Sequence, residues 1–204
     1  MYNPFSLTGK TILVTGASSG IGRVVAIECA KMGASLVITG RDAGRLDETF
    51  ALLEGDKHIR VVADLSKYED IENLVNQCPP LDGFSNNAGI IKVVLVKFIS
   101  REYLGDTLST NTIAPILLTQ LLVKKKKLNR SGSIVYTSSL SGVYCVHYGE
   151  SMYAASKGAI SGFAKGAALD LATQNIRVNC VNPGIVRTEI FENSGVIPPE
   201  QLEE

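Results

Sequence analysis

The chain has 204 residues, in which 20 basic residues balance 20 acidic ones. That length suffices for one domain with a full hydrophobic core. The single basic run, 124–127, falls at the end of a predicted helix, where cations are favoured, so the charge pattern does not indicate nucleic-acid binding. The four cysteines form no C-x-x-C pair and the two histidines have no ligand spacing, which argues against a disulfide framework and predicts no metal site.

No apolar run reaches the length of a membrane span, and the N-terminus lacks a basic region that leads into an apolar one. We therefore expect a cytoplasmic protein with reduced thiols and with no membrane partner. Composition does not indicate the function, so the evidence for it comes from the sequence motifs.

The first predicted unit is a strand, a glycine-rich turn and a helix. The run Thr11–Thr15 predicts a buried strand, residues 16–22 form the turn, and apolar spacing predicts a helix over 23–32. This arrangement points backbone N–H groups and a positive helix end at an anion, and its glycines allow close approach of a phosphate. A turn that needs positive φ and binds nothing is the alternative.

The remaining chain alternates between predicted strands and helices. Strands are expected at 35–39, 58–63, 81–86, 132–138 and 176–181, and helices at 43–53, 67–77, 109–128 and 151–173. Residues 90–98 fit a strand by periodicity but follow a turn signal, and we expect a loop. The six-fold alternation predicts an α/β fold, a three-layer, doubly wound parallel sheet. Ligands bind beyond the carboxyl ends of such strands, where the glycine turn, 40–41, 64, 86–89, 138–139 and 183–184 all fall.

A tyrosine and a lysine four residues apart, Tyr153 and Lys157, share one face of the helix that follows the fifth strand. Ionising a phenol at pH 7 costs about 4 kcal/mol, and a neighbouring ammonium lowers that cost. Tyr153 could then act as a general acid or base, with Ser139 bonding the substrate oxygen where charge develops. An ordinary half-exposed pair is the alternative.

Two further features concern the long helices. Pro115 has no N–H for the Asn111 carbonyl four residues earlier, so that carbonyl either holds a water on a proton path from Lys157 or lies at a kink absorbed by packing.

Small residues also recur every four positions on the later helix, at Ala154, Gly158, Gly162 and Gly166. Glycine destabilises a helix, and either a subunit interface or tight sheet packing would compensate.

Together these motifs resemble the short-chain dehydrogenase/reductase family over nearly the whole chain. The matching segments are TGASSGIG at 15–22, Asp64, NNAG at 86–89, Asn111, TSS ending at Ser139, YAASK at 153–157 and NPGIVRT at 182–188. The resemblance implies a single-domain Rossmann oxidoreductase that uses a nicotinamide cofactor to interconvert a ketone and a secondary alcohol. It implies the catalytic set Asn111, Ser139, Tyr153 and Lys157. Ser139 is chosen over Ser138 because it lies three residues before Gly142, as in the family motif.

The resemblance also implies the cofactor contacts. They are expected at Gly16, Ser18, Ser19, Gly20, Ile21, Gly22, Arg41, Asp64, Leu65, Asn87, Ala88, Gly89, Tyr153, Lys157, Pro183, Gly184, Val186 and Thr188. By similarity, Asp64 contacts the adenine, Asn87 lies along a ribose and Lys157 holds the nicotinamide ribose hydroxyls. Val186 and Thr188 match positions that contact the carboxamide.

The end of the second strand distinguishes the two nicotinamide cofactors. An acidic residue there would bond the ribose 2′-hydroxyl of NAD, whereas an arginine accommodates the 2′-phosphate of NADP. Gly40 and Arg41 stand at this point, so the sequence predicts NADP. NAD is the alternative because Asp42 is adjacent.

The sequence departs from the family pattern at its C-terminal end. Family members continue with a substrate-covering segment, a helix and a seventh strand, whereas this sequence ends within residues 190–204, the start of that segment. We expect one domain over 1–204, without the seventh strand, in a homodimer or homotetramer; either the sequence is shortened or this member lacks that edge. The expected substrates are a 3-oxoacyl thioester or a small polyol, sugar or steroid alcohol, in a pocket lined by loop 143–149. A nicotinamide-binding sensor or scaffold without turnover is the alternative function.

Overall fold

A parallel sheet organises the chain in the computed structural model, which describes residues 3–188. Its six strands are β1 (Thr11–Thr15), β2 (Ser35–Gly40), β3 (Ile59–Val62), β4 (Leu81–Asn86), β5 (Leu128–Thr137) and β6 (Arg177–Val181). Their order is β3-β2-β1-β4-β5-β6 and every pairing is parallel. The predicted doubly wound α/β fold is therefore confirmed. The strand order reverses between β1 and β4, which is where sheets of this kind bind their ligands.

Helices cover both faces of the sheet. They are α1 (Gly20–Lys31), α2 (Ala43–Ala51), α3 (Tyr68–Gln77), α4 (Arg101–Leu108), α5 (Ala114–Lys124) and α6 (Ser151–Leu171), with short 3₁₀ turns at Val96–Phe98 and Ala172–Gln174. Successive side chains of a strand point to opposite faces. Leu13 accordingly belongs to the core formed with α3, α5 and α6, whereas Val14 belongs to the core formed with α1 and α2.

The helical region before β5 differs from the prediction. The sequence predicts no helix over Arg101–Leu108, yet α4 lies there; its mainly polar residues bury Thr107 and give no apolar stripe to detect. Ser100 caps this helix, since its hydroxyl accepts the Tyr103 N–H at 3.0 Å. The helix predicted over 109–128 is instead a π-helical segment, Ser109–Ile113, followed by α5, which ends at Lys124.

The π-helical segment is where Pro115 takes effect. The Ala114 N–H bonds the Ser109 carbonyl five residues earlier, the spacing of a π-helix. Because Pro115 has no N–H for the Asn111 carbonyl, widening the helix here accommodates the missing bond without a break between α4 and α5. A water held by that carbonyl stays a prediction. After α5 the chain turns at Lys126 (φ 52°), so β5 begins at Leu128 rather than at residue 132.

Two other predictions, the loop over 90–98 and the small residues of α6, can be compared with the structure. Residues 90–98 form a loop that ends in a 3₁₀ turn, as predicted. A Cβ added to Gly158 would lie 3.1 Å from the Gly142 carbonyl, so close packing explains that glycine. Within the described chain, Cβ atoms added to Gly162 or Gly166 would meet no atom within 4 Å, so sheet packing does not explain these two. The predicted substrate-covering segment, 190–204, lies outside the described residues.

Candidate active site

A buried hydroxyl joins the carboxyl ends of β1 and β4. Thr15 Oγ1 donates to Asn86 Oδ1 at 3.0 Å and accepts the N–H groups of Asn87 and Ala88 at 3.0 and 3.1 Å. These bonds hold the predicted cofactor residues 87–89 beside the glycine turn. Thr15 was not among the predicted site residues, although its place directly before the glycine turn is a usable signal.

The glycine turn packs backbone against backbone. A Cβ at Gly16 (φ 65°) would lie 2.8 Å from Ala88 Cα, and one at Gly22 would overlap the Gly16 carbonyl. These two glycines therefore serve packing rather than room for a ligand. Ser19 is the N-cap of α1 and makes no side-chain capping bond within the described chain, so the first N–H groups of α1 are left for an anion. Gly20 and half-buried Ile21 form the first turn of α1.

At the end of β2, Ser18 packs against Gly40, and Arg41 follows in the chain. A Cβ at Gly40 would stand 3.0 Å from Ser18 Oγ, so glycine lets the serine lie against the strand end. Arg41 is exposed. Asp42 is the N-cap of α2: its Oδ1 accepts the Arg45 N–H at 3.0 Å, and its Oδ2 lies 3.6 Å from Arg45 Nε. Both oxygens of the Asp42 carboxylate thus contact Arg45 in the first turn of α2.

Asp64 lies past the end of β3 and accepts bonds from Ser66, at 3.1 Å from the N–H and 2.8 Å from the hydroxyl. Burial raises the pKa of Asp64, but the Ser66 bonds and the positive charges of Arg41 and Lys67 outweigh it, so the pKa lies below its usual value. Asp64 is therefore an ionised acceptor at neutral pH. The neighbouring Leu65 is buried.

Asn111 fixes the loop that follows residues 86–89. Its side chain accepts the Ile90 N–H and donates to the Ile90 carbonyl, both at 2.8 Å, and donates to Ser156 Oγ at 3.0 Å. A Cβ at Gly89 would lie 3.3 Å from Asn111 Oδ1 and 3.4 Å from Lys157 Nζ. The structure therefore brings Asn111 and Lys157 together at Gly89.

Ser139, in the loop after β5, lies near Tyr153, in the first turn of α6. The Ser139 side chain interacts with the Tyr153 phenol in the sense that lowers the pKa of the phenol, and its oxygen accepts the Ser141 N–H at 3.1 Å. The Ser138 hydroxyl instead bonds the Lys157 carbonyl at 3.0 Å and Ser161 Oγ at 2.7 Å. Of the two serines, it is Ser139 that faces the tyrosine.

Lys157 is buried beneath the tyrosine. Its Nζ donates to the Thr137 carbonyl at 2.7 Å and lies 5.7 Å from the centre of the Tyr153 ring. Burial lowers the pKa of Lys157 to about 8, against a smaller opposing effect of Cys180, so the amine is largely protonated at pH 7.

The pKa of Tyr153 is raised, chiefly by burial and further by the charge of Glu150, while the Ser139 bond opposes the rise. We expected the Lys157 ammonium to bring this pKa down, but burial dominates. The phenol is consequently protonated at neutral pH and suited to donate a proton.

The segment after β6 lies across the site. The Leu140 N–H donates to the Pro183 carbonyl at 3.1 Å, and a Cβ at Gly184 would contact Leu140. A Cβ at Gly20 would lie 3.3 Å from the Thr188 methyl, so this segment reaches the glycine turn. The partly exposed Val186 accepts the Thr188 hydroxyl at 3.4 Å.

Other surface features were compared with this site. The exposed side chains Tyr144, Val146 and Tyr148 of loop 143–149 project between β5 and α6, on the same edge as Tyr153. The groove along the outer edge of β6, lined by Ala168, Ile176 and their neighbours, contains none of the predicted site residues. Within residues 3–188, no group of three or more His, Cys, Asp or Glu side chains could hold a metal ion, and no helix has the length and hydropathy to cross a membrane.

Comparisons with known proteins agree with this geometry. The family model described as short chain dehydrogenase matches residues 10–196. The 3-oxoacyl-(acyl-carrier-protein) reductase FabG of Rickettsia felis is 33% identical over 186 residues, which cover 91% of this chain and 76% of the relative.

Two solved structures have a similar degree of sequence identity to this chain. A short chain dehydrogenase from Burkholderia cenocepacia, in complex with NADP, is 34% identical with a TM-score of 0.83, over 90% of this chain and 77% of that one. A 3-ketoacyl-(acyl-carrier-protein) reductase from Brucella melitensis, complexed with NADH, is 29% identical with a TM-score of 0.83, over 93% and 81%. The chain therefore belongs to the short-chain dehydrogenase family and is an oxidoreductase that acts on CH–OH groups with NAD(P).

Proposed function

We propose that this protein interconverts a ketone and a secondary alcohol with NADP(H), using Tyr153 as the general acid or base. The observation that carries the proposal is the half-buried Tyr153 phenol, which interacts with the Ser139 side chain and whose ring centre lies 5.7 Å from Lys157 Nζ. A half-buried proton donor beside a second hydroxyl and a positive charge suits a carbonyl oxygen that becomes an alcohol.

Tyr153, Ser139 and Lys157 each have a separate role in the proton transfer. In reduction, the Tyr153 phenol gives its proton to the substrate oxygen, and Ser139 donates a hydrogen bond to the same oxygen. Lys157 then favours the resulting phenolate through its charge. The nicotinamide, when bound, supplies the hydride that reaches the carbonyl carbon. Asn111 holds Ile90 and borders Lys157 at Gly89, so it positions the lysine and the loop beside it.

The residues present fit such a dinucleotide. The uncapped start of α1 suits the pyrophosphate, and Asp64 is an ionised acceptor for the adenine amino group. Buried Thr39 Oγ1 and Asn182 Oδ1 have no hydrogen-bond partner within residues 3–188 and stand at the ends of β2 and β6. A buried polar atom without a partner is costly, and a ligand with hydroxyl and amide groups would relieve that cost.

NADP is the proposed cofactor because of the charges at the end of β2. Asp42 is occupied at the α2 N-cap, so it does not serve as the acid that would select NAD. Arg41 is exposed and supplies the cation. Arg41→Asp should lower kcat/KM for NADPH by about 10-fold or more and shift the preference toward NADH. A variant with unchanged preference would show that Arg41 does not contact the 2′-phosphate.

The central test follows NADPH absorbance across a panel of ketones. Tyr153→Phe should lower kcat/KM by about 10³-fold, whereas Tyr68→Phe, an exposed tyrosine of α3, should leave it within about two-fold. Full turnover by Tyr153→Phe would refute the assignment. A wild-type protein that binds NADPH but oxidises it with no carbonyl would favour a sensor or scaffold.

For the substrate class, we propose a 3-oxoacyl thioester first, with a small polyol, sugar or steroid alcohol as alternatives. Loop 143–149 and residue 185 present exposed apolar side chains beside the site, and the reductases of Rickettsia and Brucella are similar in sequence. Relative kcat/KM on acetoacetyl-CoA and on a small sugar ketone separates these classes.

We further propose a homodimer or homotetramer that uses the α6 surface around Gly162 and Gly166. Both positions face open space, and Leu169 nearby is 79% exposed. Gly162→Glu improves helix propensity, so a drop in molar mass by light scattering would report a lost interface rather than a lost fold. An unchanged oligomer would contradict this surface. A cytoplasmic location stays a prediction.

A further inference from the structure

A buried carboxylate stands three residues before the catalytic tyrosine. Glu150 is 4% exposed, and glutamate is rarely buried unless it is partnered. It occupies the N-cap position of α6, where the helix dipole favours a negative charge, and its carbonyl accepts the Ala154 N–H in the first helical turn. The proton chemistry described above leaves this group unused.

A chain of hydrogen bonds leads from Glu150 to the site. Its Oε2 accepts the hydroxyl of Ser141 at 2.7 Å, and Ser141 is itself 5% exposed. The Ser141 N–H donates to Ser139 Oγ at 3.1 Å, and the Ser139 side chain interacts with the Tyr153 phenol. The Ser141 N–H thereby occupies one lone pair of the Ser139 oxygen. The hydroxyl proton of Ser139 therefore points away from the Ser141 N–H.

We propose that Glu150 is a positioning residue of this active site: through Ser141 it fixes the Ser139 hydroxyl against the Tyr153 phenol, and it places a negative charge beside that phenol. This inference rests on the proposed function of Tyr153. A fixed anion near the phenol holds the tyrosine in its protonated form, which is the form that donates a proton to a carbonyl oxygen.

The surroundings of the phenol come from α6, the loop before it, β6 and the π-helical segment. The charged or titratable groups that face the phenol or its partners are Glu150 in the loop before α6, Lys157 on α6, and Cys180 on β6 beside Lys157. Asn111, from the π-helical segment, is neutral, and His147 contacts Glu150 through its main-chain carbonyl. The charge of Glu150 adds to the effect of burial in raising the Tyr153 pKa, so removal of that charge should lower this pKa.

Two variants separate the charge of Glu150 from its hydrogen bond. Glu150→Gln keeps an acceptor oxygen for Ser141 but removes the charge, so the pKa of Tyr153 should fall. The alkaline limb of ketone reduction should move to lower pH by the same amount. Ser141→Ala keeps the charge and the N–H that bonds Ser139 but removes the hydroxyl through which Glu150 fixes residue 141. The kcat should therefore fall by about 10-fold while the Tyr153 pKa does not fall.

The measurements are a ¹³C NMR titration of labelled tyrosine, with the Tyr153 signal assigned from Tyr153→Phe, and the pH profile of NADPH oxidation. Glu69→Gln, at an exposed acid of α3, is the control for loss of one charge and should change neither. A Tyr153 titration unchanged in Glu150→Gln would overturn the charge role, and wild-type kcat in Ser141→Ala would overturn the positioning role. The NMR result stands even if no carbonyl is reduced, so a failure of the proposed function is distinguishable. Should Glu150→Gln not fold, Ser141→Ala still decides the positioning role.

Discussion

Replacing Lys157 with methionine should make the stability of this protein less dependent on pH. Lys157 is 5% exposed, and burial lowers its pKa to about 8 from a model-compound value of 10.5. Between these values the unfolded chain binds more protons than the folded one, so stability rises with pH in that window. Below pH 8 the buried ammonium costs about 3 kcal/mol relative to the neutral amine, because one pKa unit corresponds to about 1.4 kcal/mol.

About 1 kcal/mol of that cost is relieved in the wild type between pH 7 and pH 9. The free energy of unfolding of Lys157→Met, minus that of the wild type, should therefore fall by about 1 kcal/mol over this range. Loss of the bond from Nζ to the Thr137 carbonyl lowers stability by about 1 to 3 kcal/mol at every pH and leaves the slope unaffected. The thiols of Cys29 and Cys78, whose pKa values burial raises, are present in both proteins and cancel in the difference.

The assay is urea unfolding followed by circular dichroism at pH 7, 8 and 9, at one protein concentration because oligomers gain stability with concentration. Lys165→Met, on the exposed side of the same helix, is the control, since water hydrates its ammonium in both states. A difference between Lys157→Met and wild type that is constant with pH would refute the reasoning, because it would mean that folding does not desolvate this amine.

Two paired substitutions test the rest of the site. Thr15→Val should lower the free energy of unfolding by about 2 to 4 kcal/mol in urea because it leaves two N–H groups without their acceptor, whereas Thr39→Val, at a hydroxyl without a partner in residues 3–188, should be neutral or stabilising. Equal effects would contradict this account. Ser139→Ala should lower kcat by about 10²-fold with little change in stability, whereas Ser138→Ala should lower stability by about 1 kcal/mol with kcat nearly unchanged. The opposite pattern would assign the catalytic role to Ser138.

Local patterns in the sequence were enough for the fold class and the family. Apolar runs bounded by glycine placed all six strands, and the order of motifs from the glycine turn to Tyr153 and Lys157 carried the resemblance that the comparisons confirm. These features are local: periodicity reports the burial of a strand, and residues four apart share a helix face. α4 escaped prediction because its polar residues carry no apolar stripe.

Contacts between residues distant in the chain were decided by the tertiary structure. Thr15 meets residues 86–88 because β4 pairs with β1. Burial lowers the pKa of Lys157 and raises that of Tyr153, each opposite to what a simple ion pair between the two would give. The link from Glu150 through Ser141 to Ser139 depends likewise on how one loop folds back. A sequence states which groups exist, but desolvation and hydrogen-bond partners depend on the packing around each group.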